Sequence, residues 1–533
     1  MGLPPFANEP LLKFSEPAEQ AHMSEAHQHV LANLGMECPL RIGDREVYGP
    51  NRVVVHCPDA VNLALGSVVM GGVAEAAEAV QVAEEAFASW SRTSVEERAA
   101  LLLRAGDILR HRRRHILTWM ALEVGKNFDQ ADGEVAEAID HFEWNARQLF
   151  SWAQGRSLAP HAQEINEYRY RPLGVGAVIA PWNFPATLPL GMVVAAIAAG
   201  NTVVLKPSEH ASLTAYHLVQ ILRDAGVPPG VVNFVPGAGT LVGDALVSDP
   251  RVRFVAFVGS RDVGIHIAER ASAVAVGQHH LKRVMTEMGG KNATIVTEAA
   301  DFDWAVAEVT RSALGFQGQK CSATSRVICL PGIHDRFVEA LAAHMEATAA
   351  TRGRAVDNAP YGALVSAQAR NKVESYVATA STHGRVLLEG QRDPTLGYCV
   401  TPTLVDRVDP QSPLAQEEIF GPVVAVLEAN TLPDAVAAAN NVPYALTGAA
   451  FTHDPHELDF IREHFYVGNL YLNRSSTGAM AGVHPFGGYK LSGTGPKVGG
   501  PDYLGFFLEA QVITQAVRYP DPRPTVPVHT ESR

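Results

Sequence analysis

The 533-residue sequence holds only five cysteines, Cys38, Cys57, Cys321, Cys329 and Cys399. They are odd in number and scattered, which excludes a disulfide framework and points to free thiols in a reducing compartment. No Cys-x-x-Cys pair and no His-Glu-x-x-His occurs. His456-Glu457 lacks a second ligand at helical spacing and His279-His280 reads as a surface pair, so no metal is expected. Basic charge is also short, with 43 Lys and Arg against 56 Asp and Glu, a net charge of −13. That balance argues against nucleic acid or an anionic membrane as the main partner. An uninterrupted apolar span is missing too. Residues 172–205 carry no charge, but Pro181, Pro185 and Pro189 break them beside Trp182 and Asn183, as suits a buried strand, loop and helix rather than a membrane helix. The N-terminus has neither a basic n-region nor an apolar core for secretion, and Phe6 stands where a myristoylation motif places Ser or Thr. Gly290-Lys291 is followed by Asn292, so no phosphate-binding P-loop is formed. No internal repeat is visible. A cytoplasmic protein of ordinary globular composition is expected.

What is present begins with periodicity. Apolar residues at helical spacing mark residues 73–90, 95–121 and 133–150 as helices. The basic run Arg110-His-Arg-Arg-Arg-His115 falls late in the second and is expected to be a solvated helix face. From residue 175 short apolar strands (175–180, 202–205, 231–234, 253–257) alternate with helices (212–225, 240–248, 263–273), the signature of parallel βαβ units. A second α/β block follows residue 287, with strands at 293–296, 326–330 and 420–427 and helices at 302–314 and 334–350. Residues 475–482 form a loop of small residues, and the proline-rich stretch after Tyr519 reads as a disordered tail.

Three turns on consecutive strands could hold a dinucleotide. Gly237-Ala-Gly239-Thr-Leu-Val-Gly243 resembles the glycine fingerprint with one residue too many, and Phe257-Val-Gly259-Ser-Arg-Asp-Val-Gly264 leads onto a helix with free amides. Lys206-Pro-Ser-Glu209 offers a cation and an acid suited to ribose hydroxyls. Each turn alone is compatible with a purely structural role; together they favour a cofactor.

Cys321 lies in Gly315-Phe-Gln-Gly-Gln-Lys-Cys-Ser-Ala-Thr-Ser325. Free cysteines mostly pack as small hydrophobes, and Cys329 and Cys399, in apolar strand-like runs, read that way. The polar neighbours of Cys321 make poor core. A helix start or the adjacent Lys320 would lower its pKa, so a reactive thiolate is expected. Glu287-Met-Gly-Gly-Lys-Asn292 adds an acid at a glycine turn, and Pro181-Trp-Asn-Phe-Pro185 an amide. Glu287 could simply end a strand and Asn183 simply form a turn. Together the three supply a nucleophile, a base for water and an oxyanion donor.

From about residue 39 to 508 the chain resembles the aldehyde dehydrogenase superfamily. The resemblance rests on Pro181-Trp-Asn-Phe-Pro, Lys206-Pro-Ser-Glu, Phe257-Val-Gly-Ser, Glu287-Met-Gly-Gly-Lys-Asn, Gly318-Gln-Lys-Cys, Glu418-Ile-Phe-Gly-Pro and Pro485-Phe-Gly-Gly-Tyr-Lys-Leu-Ser-Gly. Phe316-Gln-Gly-Gln-Lys-Cys-Ser-Ala, Val467-Gly-Asn-Leu-Tyr-Leu-Asn-Arg, Thr477-Gly-Ala and the Asn8-Glu-Pro opening are most similar to the branch that oxidises L-glutamate γ-semialdehyde. Another semialdehyde, such as succinic semialdehyde, is the alternative substrate; a non-catalytic protein on this fold is disfavoured by the intact Asn183, Glu287 and Cys321 set.

The resemblance implies an α/β fold with a Rossmann-type NAD-binding domain (residues 1–153 and 174–288), a catalytic domain (289–488), and an oligomerisation arm with a C-terminal tail (154–173 and 489–533). It implies NAD bound by Pro181, Trp182, Lys206, Ser208, Glu209, Gly239, Gly243, Phe257, Gly259, Ser260, Val263, Glu418 and Phe420. Substrate contacts carry over to Glu137, Phe184, Lys320, Ser322, Gly478, Ala479 and Phe486. Val258 and His484 depart from the commoner Thr and Gln of the family. A homodimer or hexamer is implied, and with some 40 residues ahead of the matching region, proline dehydrogenase is expected as a separate pathway partner rather than a fused barrel.

Overall fold

A computed structural model describes residues 3–517. Two large sheets organise them. The first has eight strands in the order Gly493–Thr494, Arg283–Glu287, Val252–Val258, Val175–Ile179, Thr202–Lys206, Val232–Phe234, Leu40–Ile42 and Arg45–Val47. Its middle five are parallel. They are mostly buried and largely apolar because helices cover both faces, with Lys206 and Glu287 at their carboxyl ends. The chain runs outward from Val175–Ile179 to Val232–Phe234, then returns to the other side of Val175–Ile179 with Val252–Val258. The sheet therefore changes direction between those two strands, and in such sheets ligands sit beyond the carboxyl ends at that point.

The second sheet has seven strands, ordered Arg385–Leu388, Thr403–Asp406, Val423–Glu428, Thr324–Cys329, Asn292–Val296, Thr447–Phe451 and Asn469–Leu472. All neighbours are parallel except the first pair. Residues just before its strands at Asn292, Thr324 and Val423 meet the carboxyl end of the first sheet, so the cleft lies between the two.

Glu164–Pro172 pairs antiparallel with Leu508–Ala516 over nine residues as a separate two-stranded arm. It is shorter than expected. Residues 489–494 belong elsewhere, because Tyr489–Lys490 pairs with Tyr444–Ala445 and Gly493–Thr494 with Thr286–Glu287. The proline-rich tail lies outside the described residues. A helix at Pro17–Ala32 escaped the sequence reading, since its apolar residues are too few to mark a face.

Two further expectations fail. The helix expected over 95–121 is two, Val95–His111 and Arg113–Val124, broken at Arg112. The basic run is no solvated face either. The Arg110 guanidinium binds Glu9, Asp107 and Glu143 at 2.8, 2.6 and 2.7 Å, and Arg114 binds both oxygens of Glu19. Arg113 is buried against Asp132 at 2.5 Å. Glu9, Glu19, Asp132 and Glu143 come from other elements, which helix periodicity cannot show.

Candidate active site

Cys321 sits in a turn between the short 3-10 helix Gly315–Gly318 and the strand Thr324–Cys329, not at a helix start. Its backbone is fixed from several sides. The Asn292 side-chain amide donates to the carbonyls of Cys321 (2.7 Å) and Ala323 (2.9 Å), and Ser476 donates to the carbonyl of Ser322 at 2.8 Å. Phe316 and Gln317 hold φ of 53° and 54°, left-handed for side chains that disfavour it. Such strain, of order 1–3 kcal/mol per residue, persists only where surrounding contacts enforce it.

The thiol lies 3.5 Å from Glu287 Oε1. Burial, then the carboxylates of Glu287 and Glu418, push its pKa well above the usual thiol range. The expected depression is therefore absent. The adjacent Lys320 is itself lowered to about 7 by burial and by Lys126, which weakens it as a stabilising cation. At rest Cys321 is a neutral thiol with a carboxyl group beside it. Glu287 is 6% exposed and its pKa is pushed up to about 7 by burial, against the contrary pulls of the Cys321 contact and Lys497. A carboxyl group poised there can take a proton near neutrality.

Asn183 is buried and its amide donates to the Gln319 carbonyl at 3.3 Å. Behind it, Lys126 donates to the Asn183 carbonyl (2.6 Å) and to Glu134 (2.5 Å), with its ammonium 3.9 Å from the Phe184 ring centroid. Glu134 in turn accepts from the backbone N–H of Ala186 and Thr187. This buried pair holds the turn that carries the amide.

A cleft of about 500 Å³ opens where the first sheet reverses. Pro181, Trp182 and Asn183 enter it after the strand Val175–Ile179, and Val258, Gly259 and Ser260 at the end of Val252–Val258. Cys321, Glu418 and Phe420 face them from the second sheet. Ser260 precedes the helix Arg261–Ser272 and its side chain makes no cap bond, leaving the first amides for an anion. The Lys206 ammonium is buried with the Pro207 carbonyl as its acceptor, so donor capacity remains. Glycine is required at two places. A Cβ at Gly289 would stand 2.0 Å from Glu418 Oε2, and one at Gly290 would stand 2.7 Å from the Cys321 carbonyl. The cleft, its free amides and the thiol with base and amide suit a dinucleotide and an aldehyde.

The aldehyde dehydrogenase family model matches residues 48–513. The chain belongs to the aldehyde dehydrogenase family. A 1-pyrroline-5-carboxylate dehydrogenase of Geobacillus kaustophilus is 41% identical over 96% of this chain and 99% of its own. The structure of a Thermus 1-pyrroline-5-carboxylate dehydrogenase with bound NAD superposes with a TM-score of 0.95 at 42% identity, covering 97% of this chain and 100% of that one. Proline utilization A from Bdellovibrio bacteriovorus matches with a TM-score of 0.94 at 40% identity over 96% of this chain and 53% of its own.

Against the residues expected of an aldehyde dehydrogenase, the cleft brings together Pro181, Trp182, Asn183, Gly259, Ser260, Cys321, Glu418 and Phe420. Lys206, Ser208, Glu209, Gly239, Gly243 and Val263 do not line it, and the Phe257 ring is buried in core beneath Gly259. Phe486 and Glu287 border a separate space of about 20 Å³ with Tyr503. Burial, then the charges of Glu134, Asp140 and Glu287, push Glu137 up to about 8. Gly478 has φ of +82°, and among the described residues neither its amide nor that of Ala479 has a protein acceptor. Arg474, to which the sequence assigned no role, donates to the carbonyls of Thr477 and Gly478 and lies 3.1 Å from His484 Nε2. Lys126, Glu134 and the cleft residues His210 and Lys372 were also missed; their positions carry no motif that a single sequence exposes.

Proposed function

We propose that the chain oxidises L-glutamate γ-semialdehyde, the open form of 1-pyrroline-5-carboxylate, to L-glutamate with NAD, the second step of proline degradation. The observation that carries the reading is the Cys321 thiol 3.5 Å from a carboxyl group of near-neutral pKa, beside an amide on the wall of one cleft. Relatives above 40% identity along nearly the whole chain bear names for this activity.

In the proposed sequence Cys321 Sγ adds to the aldehyde carbon and gives up its proton, with Glu287 within reach to take it. The Asn183 amide and the Cys321 backbone N–H stabilise the oxyanion, about 3 kcal/mol per donor. NAD, when bound, would supply the acceptor for the hydride lost from that carbon, which leaves an acyl thioester on Cys321. Glu287, once it has passed that first proton to solvent, draws a proton from water, whose oxygen adds to the acyl carbon; it returns this proton to the Cys321 sulfur as the C–S bond breaks, and glutamate is released. Gly478 and Ala479 amides with Ser322 are assigned to the substrate carboxylate, and Glu137 to its ammonium. Ser260 and the amides after it would hold the pyrophosphate, Lys206 and Glu209 the adenosine ribose, and Glu418 the nicotinamide ribose. An acid at Glu209 favours NAD, since a 2′-phosphate would meet its charge.

The arm, with Ile165 and Val512 more than half exposed, is proposed to pair with a second copy in a dimer or larger homo-oligomer. No helix among the described residues is long and apolar enough to cross a membrane; a cytoplasmic setting, with proline dehydrogenase as a separate source of substrate, completes the reading. The test is NADH production from pyrroline-5-carboxylate and from succinic semialdehyde at equal concentration. Preference for the first is expected. Equal or faster turnover of the second would overturn the glutamate assignment.

A further inference from the structure

We propose that residues 6–12 form a strap that sets the substrate loop 475–482 against the helix Phe128–Ala153, with Asn8 as its positioning residue. The proposal rests on the substrate reading above. The Asn8 side-chain amide donates one hydrogen to Asp140 Oδ2 at 2.7 Å and the other to the Ala481 carbonyl at 3.0 Å. A primary amide has two N–H groups, and here each holds a different wall. Asp140 lies one helical turn beyond Glu137. Ala481 lies two residues beyond Ala479 in the loop proposed to bind the carboxylate.

The strap is a fixed frame. Asp140 is 3% exposed and takes the Glu9 backbone N–H on its other oxygen at 2.7 Å. The Leu12 N–H donates to Asp132 (2.8 Å), Arg113 to the Pro10 carbonyl (3.0 Å) and Arg110 to Glu9 (2.8 Å). The Phe6 ring meets Trp144 edge-on at 5.2 Å. A Cβ at Gly482 would come within 2.8 Å of Phe6 and 2.9 Å of Trp144, so the end of the loop is packed into the same corner.

No strap residue lines the cleft or contacts Cys321. Its influence on turnover therefore runs through the loop. Without the Asn8 bridge the loop samples more arrangements, and a substrate that needs its amides binds more weakly by the lost fraction of the competent one. An aldehyde without the carboxylate does not use those amides.

The test measures kcat and KM for pyrroline-5-carboxylate and for butanal with full-length protein. In Asn8→Ala, KM for pyrroline-5-carboxylate is expected to rise about tenfold, as for loss of one hydrogen bond, with kcat and both butanal constants changed by less than about twofold. An unchanged KM, or an equal rise for both substrates, would overturn the proposal and leave the strap structural. The exchange Asn8→Asp with Asp140→Asn restores an amide–carboxyl bond to the helix but offers no donor to Ala481. It should recover thermal stability while KM stays high; a KM that recovers with it would overturn the bridging role. A wild-type enzyme that shows no preference for pyrroline-5-carboxylate over butanal would instead refute the substrate reading.

Discussion

Replacing Glu287 by glutamine keeps the shape of the side chain beside Cys321 and removes the proton acceptor proposed for thioester hydrolysis. Two readouts follow from the same burial. The first is kinetic: Glu287→Gln should form one equivalent of NADH per active site in a burst, itself slowed because the thiol loses its proton acceptor, and then turn over about 10²–10⁴-fold more slowly. The wild-type steady state should rise with pH through about 7, where Glu287 ionises, and level off above it. The second readout is stability. The folded-state pKa of about 7 lies above the ordinary 4.5, so between those values the folded protein binds more protons than the unfolded chain. Stability is then lost as pH rises from about 4.5 to about 7. A rise of that size corresponds to about 3 kcal/mol at most. Glu287→Gln should therefore melt higher than wild type at pH 8 and converge with it near pH 4. Rapid-mixing measurement of NADH and thermal melts across that range check both. Full steady-state turnover in the variant, or a melting difference that does not vary with pH, would refute the assignment of a buried, near-neutral base.

Cys321→Ala should abolish NADH formation while NAD binding, read by calorimetry, stays within about twofold, because the thiol touches the reacting carbon and contributes little affinity. Gly289→Ala places a methyl group where the Glu418 carboxylate now lies, so NAD should bind at least about tenfold more weakly without loss of the folded state. Asp132→Ala leaves Arg113 buried without its 2.5 Å partner and should cost about 3–5 kcal/mol in chemical denaturation.

The parallel strands were legible because a strand covered on both faces is largely apolar, and the sequence from Val175 to Val258 writes such runs at regular intervals. Glycines were legible as turns, but their reason was not: Gly289 and Gly290 are needed for the close approach of Glu418 and the Cys321 carbonyl, groups on distant loops. The same distance misled the reading of Cys321. Its sequence neighbours, Lys320 above all, suggested a cationic setting that would ionise it. The fold instead buries that lysine and brings two carboxylates to the sulfur. A charge run such as Arg110 to His115 fails in the same way, because helix periodicity shows which face the arginines share and not that Glu9, Glu19 and Asp132 converge on it.

What a chain writes locally is which groups are available; their protonation and reach are set by segments that meet only after folding. Lys126 makes the point for this site. It lies in an unremarked stretch between two helices, yet its ammonium, fully buried, is the donor that ties the Asn183 carbonyl to Glu134. An ammonium so buried is tolerable only where acceptors and aromatic faces surround it, and those come from three separate segments, around Glu134, Asn183 with Phe184, and Phe316. The segment that carries the Asn183 amide is thus held by a group to which no motif points, and the accuracy of the proposed chemistry rests on it as much as on the three residues proposed to perform it.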